Sequence, residues 1–118
     1  MVSLVMAMER IKQACTETLV LSLLEGGPMH GYEMCKAIET RSSGYFSLKH
    51  STLYPVLHKL EKRGLVTSKW AEMKSGKPGK PRKYYRLTQK GVTHFGETAA
   101  EWREFFASMT RLLPAVAL

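Results

Sequence analysis

The chain has 118 residues, of which 44% are hydrophobic and 24% charged, the balance of a folded globular protein and not of a disordered or fibrous one. At this length one compact domain is expected, and the apolar stretches Met1–Met8 and Leu19–Leu24 fall well short of the roughly 20 residues that cross a bilayer. The start carries neither a basic n-region nor a small-residue cleavage site, so it does not read as a secretory signal. Cys15 and Cys35 lack CxxC spacing, which gives no disulfide framework and no metal site and fits a reducing cytoplasm.

Charge is the most informative bulk property. The formal net charge is +8, and all ten acids are glutamate. Residues 49–90 hold twelve basic and two acidic residues, a local net of +10, while the segments on either side each carry −1. Such a block in the middle of a folded domain repels itself unless an anion faces it, so a polyanionic partner is expected. A lysine-rich surface kept only for solubility would be spread along the chain.

Along the chain, Glu9–Glu25 reads as the first helix, with Ile11, Cys15, Leu19 and Leu23 on one face, and residues 1–8 read as a frayed start. Gly26-Gly27-Pro28 stops it. A second helix runs from about Gly31 to Thr40, with His30 as cap, Glu33 at a capping-box position, and Tyr32, Cys35 and Ile38 facing inward. Ser42-Ser43-Gly44 ends it, and residues 45–48 form an extended link. The third helix begins near Ser51, where Ser51 and Thr52 are cap candidates and Pro55 requires a nearby helix start. Leu53, Val56, Leu57 and Leu60 make its buried stripe. Leu65–Trp70 and Lys83–Thr88 alternate and are rich in strand formers, so they read as a hairpin. The glycine- and proline-containing basic segment 73–82 between them projects into solvent. Three helices followed by a hairpin with a basic tip is the order of a winged helix-turn-helix: mainly α with one β-hairpin, the third helix serving for recognition and the hairpin as wing.

Three motifs stand out in this frame: Gly27-Pro28-Met29-His30-Gly31-Tyr32-Glu33, the run from Ser51-Thr52-Leu53-Tyr54-Pro55 through Arg63-Gly64-Leu65-Val66, and Arg82-Lys83-Tyr84-Tyr85-Arg86-Leu87-Thr88-Gln89-Lys90-Gly91. Together, in order and spacing over about residues 11–113, they closely resemble the PadR family of bacterial transcriptional regulators. The resemblance implies a winged-helix domain over residues 1–88, a C-terminal dimerisation helix over 89–118, as in the small single-helix subfamily, and a dimer that acts on DNA, most often as a repressor. Many members carry Ser-Pro-Gly where this chain has Lys49-His50-Ser51, so the base preference of the family is not carried over.

The residue types fit double-stranded DNA. Lys74, Lys77, Lys80, Arg82 and Lys83 on the wing suit phosphate or minor-groove contact, since cations that neutralise phosphates release counterions. Lys49, His50, Ser51, Thr52 and Tyr54 stand at the start of the third helix, where side chains and free N–H groups meet phosphates or base edges, with His58 and Lys59 one turn further on. For Ser51 and Thr52 capping is the alternative role, and for Tyr54 packing against the domain. No nucleophile elbow, zinc-protease motif or phosphate loop is present, and His30, His50, His58 and His94 have no aspartate to orient them; neither catalysis nor a cofactor or metal is expected. A winged helix used only for protein contact is the alternative function, and it would need no basic block.

From Val92 the apolar positions run Phe95, Ala99, Trp102, Phe106, Met109 and Leu113, in steps of 3 and 4, the spacing of a coiled-coil seam. A homodimer built on it would set two recognition helices on successive major-groove faces of a palindromic operator. Trp102 matches the tryptophan that lines an inter-subunit drug pore in the subfamily. Two such rings across a dyad could sandwich a planar aromatic effector, with Phe106, Met109, Ile11 and Cys15 completing the wall; the alternative is that Trp102 simply fills a closed core.

Overall fold

Leucines spaced along α3 organise the core. In the computed structural model, which describes residues 3–71 and 81–113, α1 spans Leu4–Leu24, β1 Met29–His30, α2 Gly31–Arg41, α3 His50–Lys62, β2 Val66–Trp70, β3 Lys83–Leu87 and α4 Gln89–Leu112. Leu53, Leu57 and Leu60 of α3 are fully buried against Val20, Leu21 and Leu24 of α1 and Met34 and Ile38 of α2. Full burial of such a side chain stabilises the fold by roughly 1.5–3 kcal/mol. Val56, the fourth member of the expected stripe, is only half-buried. Leu65, Val66 and Tyr85 extend this core under the sheet.

The sheet is antiparallel with strand order β1-β3-β2. Val66 faces Leu87 and Trp70 faces Lys83 in the hairpin. On the other edge of β3, Met29 pairs with Tyr85 and His30 with Tyr84. The expected two-stranded wing therefore gains a third strand of two residues, too short for any periodicity to announce. Glu61, the acid of α3, accepts a hydrogen bond from Ser68 Oγ of β2 at 2.5 Å, fastening α3 to the sheet.

The four helix starts are capped in different ways. α1 begins at Leu4 and not at Glu9: Ser3 caps it by accepting from the Met6 N–H at 3.2 Å, so residues 4–8 are helical and not frayed. α2 has the expected capping box, His30 Nδ1 accepting from Glu33 N–H (3.3 Å) and Glu33 Oε1 accepting from His30 N–H (3.2 Å). α3 is capped by neither Ser51 nor Thr52; its N-cap is Lys49, which makes no side-chain cap bond. At α4, Thr88 Oγ1 accepts from Gly91 N–H and donates to the Gly64 carbonyl at 2.6 Å. Gly91 then crosses the Leu65 backbone so closely that a Cβ there would collide with the Leu65 carbonyl oxygen.

Candidate nucleic-acid interface

The N-terminus of α3 faces water with its first-turn N–H groups uncapped by any side chain, the arrangement in which a helix start receives an anion from outside. Lys49, His50, Ser51, Thr52, Tyr54, His58 and Lys59 are all exposed on this helix. The one acid of α3 is turned to the sheet, so no carboxylate on the helix opposes a phosphate there.

His50 sits between two tyrosines. Its ring stacks on Tyr32 (6.0 Å between centroids, 16° between planes) and on Tyr54 (5.9 Å, 25°). The row continues through Tyr32 to His30 (6.4 Å, 29°), and Tyr84 of β3 meets His30 edge-on at 5.3 Å. Five rings thus run from the wing strand across the start of α2 to the start of α3. Tyr32, expected to face inward, is 58% exposed: it is the second residue of α2, where a side chain leaves the helix before the core begins. Tyr54 packs against the domain, with its edge on Gly31, while 47% of its surface stays open.

At the base of the wing, Arg82 Nη1 lies 3.1 Å from His30 Nε2. Lys83 stands over the rings of Trp70 (5.7 Å) and Tyr85 (5.8 Å), contacts that hold its stem against the hairpin while its charge is retained. Lys74, Lys77 and Lys80 lie outside the described residues. Two further cations of the basic block have structural duties: Arg63 pairs with Glu17 of α1 at 2.6 Å, and Lys90 Nζ donates to the Arg63 carbonyl at 2.9 Å. The sequence pattern marks neither Tyr32 nor Trp70 as a surface group and marks His30 only as a cap. The position of Tyr32 directly after the cap was the available signal.

The expected seam on α4 divides in two. Ala99 is only 8% exposed, so it is corrected from a subunit contact to an internal one; Phe95, half-buried, packs in part on the core of its own chain, and α1 packs along α4. Trp102 marks the border: its Nε1–H donates to Thr18 Oγ1 of α1 at 3.1 Å, while its ring stacks on Phe106 (5.7 Å, 24°) and meets Phe105 edge-on. Beyond it Phe105, Phe106, Met109, Leu112 and Leu113 are exposed, as are Val92 at the start of α4 and Leu4, Val5, Met6 and Ile11 on α1. Cys15 is half-buried, and burial raises the thiol pKa of both Cys15 and Cys35. Among the described residues no helix is long and apolar enough to cross a membrane, and no group of three His, Cys, Asp or Glu could hold a metal ion.

Residues 20–97 match the transcriptional regulator PadR-like family, well over half of the chain. The chain belongs to the PadR family of transcriptional regulators. It is thus a regulator and not an enzyme, and its winged-helix fold is shared by solved PadR relatives. A PadR-family regulator from Eggerthella lenta is 32% identical and superposes with a TM-score of 0.74 over 91% of this chain and 88% of its own. A transcriptional regulator from Clostridium thermocellum, 26% identical, gives 0.76 over 96% and 99%. Bacillus subtilis PadR, solved in complex with operator DNA, is 26% identical and gives 0.62 over 70% of this PadR chain and 46% of its own.

Proposed function

We propose that this PadR protein is a homodimeric repressor that binds a two-fold operator in double-stranded DNA in the cytoplasm, with residues 1–88 reading the DNA and residues 89–118 joining the subunits. The observation that carries the reading is the coincidence of the net +10 block with the exposed, uncapped start of α3. Phosphate contacts come from Lys49, Lys59, Arg82, Lys83 and the wing lysines Lys74, Lys77 and Lys80. His50, Ser51, Thr52, Tyr54 and His58 face the groove, and Tyr32 extends the contact surface toward the wing. The operator-bound state of the Bacillus subtilis relative supports DNA as the polyanion.

Dimerisation is supported by the exposed Phe105, Phe106, Met109, Leu112 and Leu113 on α4, large apolar side chains that water would not otherwise meet on one helix end. A planar aromatic effector held between the subunits against Trp102, Phe106 and Met109, near Ile11 and Cys15, would relieve repression by changing the distance between recognition helices. Gel-shift titration on the DNA upstream of the protein's own gene tests the core of this reading. Affinity should fall by about 10³-fold or more between 50 and 200 mM salt; absent or salt-indifferent binding refutes it.

A further inference from the structure

A cavity of 420 Å³ opens between α1 and the segment that joins α2 to α3. It lies inside one chain and apart from the α4 face: Thr16 lines it, whereas Thr18, the partner of Trp102, stands about 200° further round α1. The floor is apolar, made by Leu19, Ile38, Phe46 and Leu48. Its mouth is cationic. Lys12 folds over it, with Nζ 4.6 Å from the Tyr45 ring centroid and 3.7 Å from Glu9. Lys49 lines the cavity as well and pairs with no carboxylate among the described residues. Two lysines against one glutamate leave a net positive rim above an apolar floor, within the size range of small-molecule pockets.

We propose that this cavity binds a small amphipathic monocarboxylate, with its alicyclic or branched aliphatic body on Leu19, Ile38 and Leu48 and its carboxylate between Lys12 and Lys49. Lys49 is also the N-cap of α3, and Thr52, one turn later, lines the same cavity. A bound carboxylate therefore draws on Lys49, assigned above to phosphate contact, beside Thr52, assigned to the groove, and ligand and DNA oppose each other. The regulatory half of this inference rests on the DNA-binding reading, whereas the site itself does not.

Adamantane-1-carboxylate is a suitable probe, because its globular body cannot be sandwiched between flat indole rings. Titrated into the full-length protein without DNA, it should bind and shift the amide resonances of Thr16, Ser47 and Lys49. Lys12→Glu should weaken binding at least tenfold, and Ser47→Trp, which fills the mouth from an exposed position, should abolish it; Trp102→Ala should leave it unchanged. With operator DNA, saturating probe should lower affinity severalfold for the native protein and not for Ser47→Trp. Absent binding, or binding lost in Trp102→Ala but kept in Lys12→Glu, overturns the site. Should Ser47→Trp fail to fold, the resonance map and Lys12→Glu decide alone. Binding at the site with unaltered operator affinity overturns the regulatory half, and a protein that binds the probe but no DNA overturns the DNA reading instead.

Discussion

Gly31 leaves the space in which Tyr54 rests: a Cβ on Gly31 would lie 2.9 Å from the Tyr54 hydroxyl and 3.1 Å from its Cζ. The first residue of α2 thus sets the tilt of a tyrosine on the exposed side of α3, and through it the stack with His50. The intruding methyl would meet the far end of a side chain and not backbone, so the tyrosine can yield. Gly31→Ala is therefore expected to displace Tyr54 while the fold survives, with operator affinity reduced about tenfold, or roughly 1.4 kcal/mol. Gel shift read beside a thermal melt separates the two effects; a large drop in melting temperature would instead mark Gly31 as a core residue.

Gly91 behaves in the opposite way, since the atom a side chain would strike is the Leu65 carbonyl and backbone cannot step aside. Gly91→Ala should destabilise the protein by about 1–3 kcal/mol through overpacking, seen as a lower urea midpoint, with the junction of sheet and α4 as the first part to open. An unchanged midpoint would contradict the closeness of this crossing.

For assembly, the exposed end of α4 makes a direct prediction. Phe106→Glu combined with Met109→Glu places two charges among the open apolar side chains, and sedimentation at micromolar concentration should shift from dimer to monomer. Melting of the winged-helix core should change little, because Ala99 and Phe95 still pack within the chain. A double variant that remains dimeric would move the interface elsewhere.

Thr18→Val removes the acceptor of the Trp102 Nε1–H bond with little change of shape. A cost of about 1 kcal/mol is expected, together with a red-shifted tryptophan emission if the indole turns toward water. Trp70 also emits, so the comparison belongs in a Trp70→Phe background.

Both cysteines should be slow to alkylate. Burial disfavours the thiolate of Cys15 and Cys35 and raises both pKa values, so at pH 7.5 each holds less thiolate than free cysteine does. Iodoacetamide labelling followed by mass should be slower than for a cysteine peptide and should accelerate as pH rises; faster labelling would contradict the burial seen here.

How legible these features were depended on how local their chemistry is. The capping box of α2 lies within four residues, and the sequence disclosed it. The stripe of α3 leucines also declared itself, because burial follows from their spacing alone. The seam on α4 was readable as an apolar face but not as to what covers it: heptad spacing is the same whether the chain's own core or a second chain packs there, and here Ala99 is buried and Phe95 half-buried within one chain. The strand Met29–His30 has two residues and gains its order only from β3, a non-local partner. Ser51 and Thr52 offered good cap chemistry past the N-cap Lys49, since the backbone had already entered the helix at His50.

His30 belongs to two elements at once. It caps α2 and pairs with Tyr84 in the sheet, so no hinge separates the wing from the helix-turn-helix at this joint. The start of α2 and the base of the wing are thereby joined, so in the proposed dimer each copy would approach its half-site with these two parts already oriented. In that dimer, adjustment to operators of differing half-site spacing would come from how two such copies are yoked through α4. Among relatives with different operators, base preference would thus be expected to vary with α3, and spacing with the far end of α4.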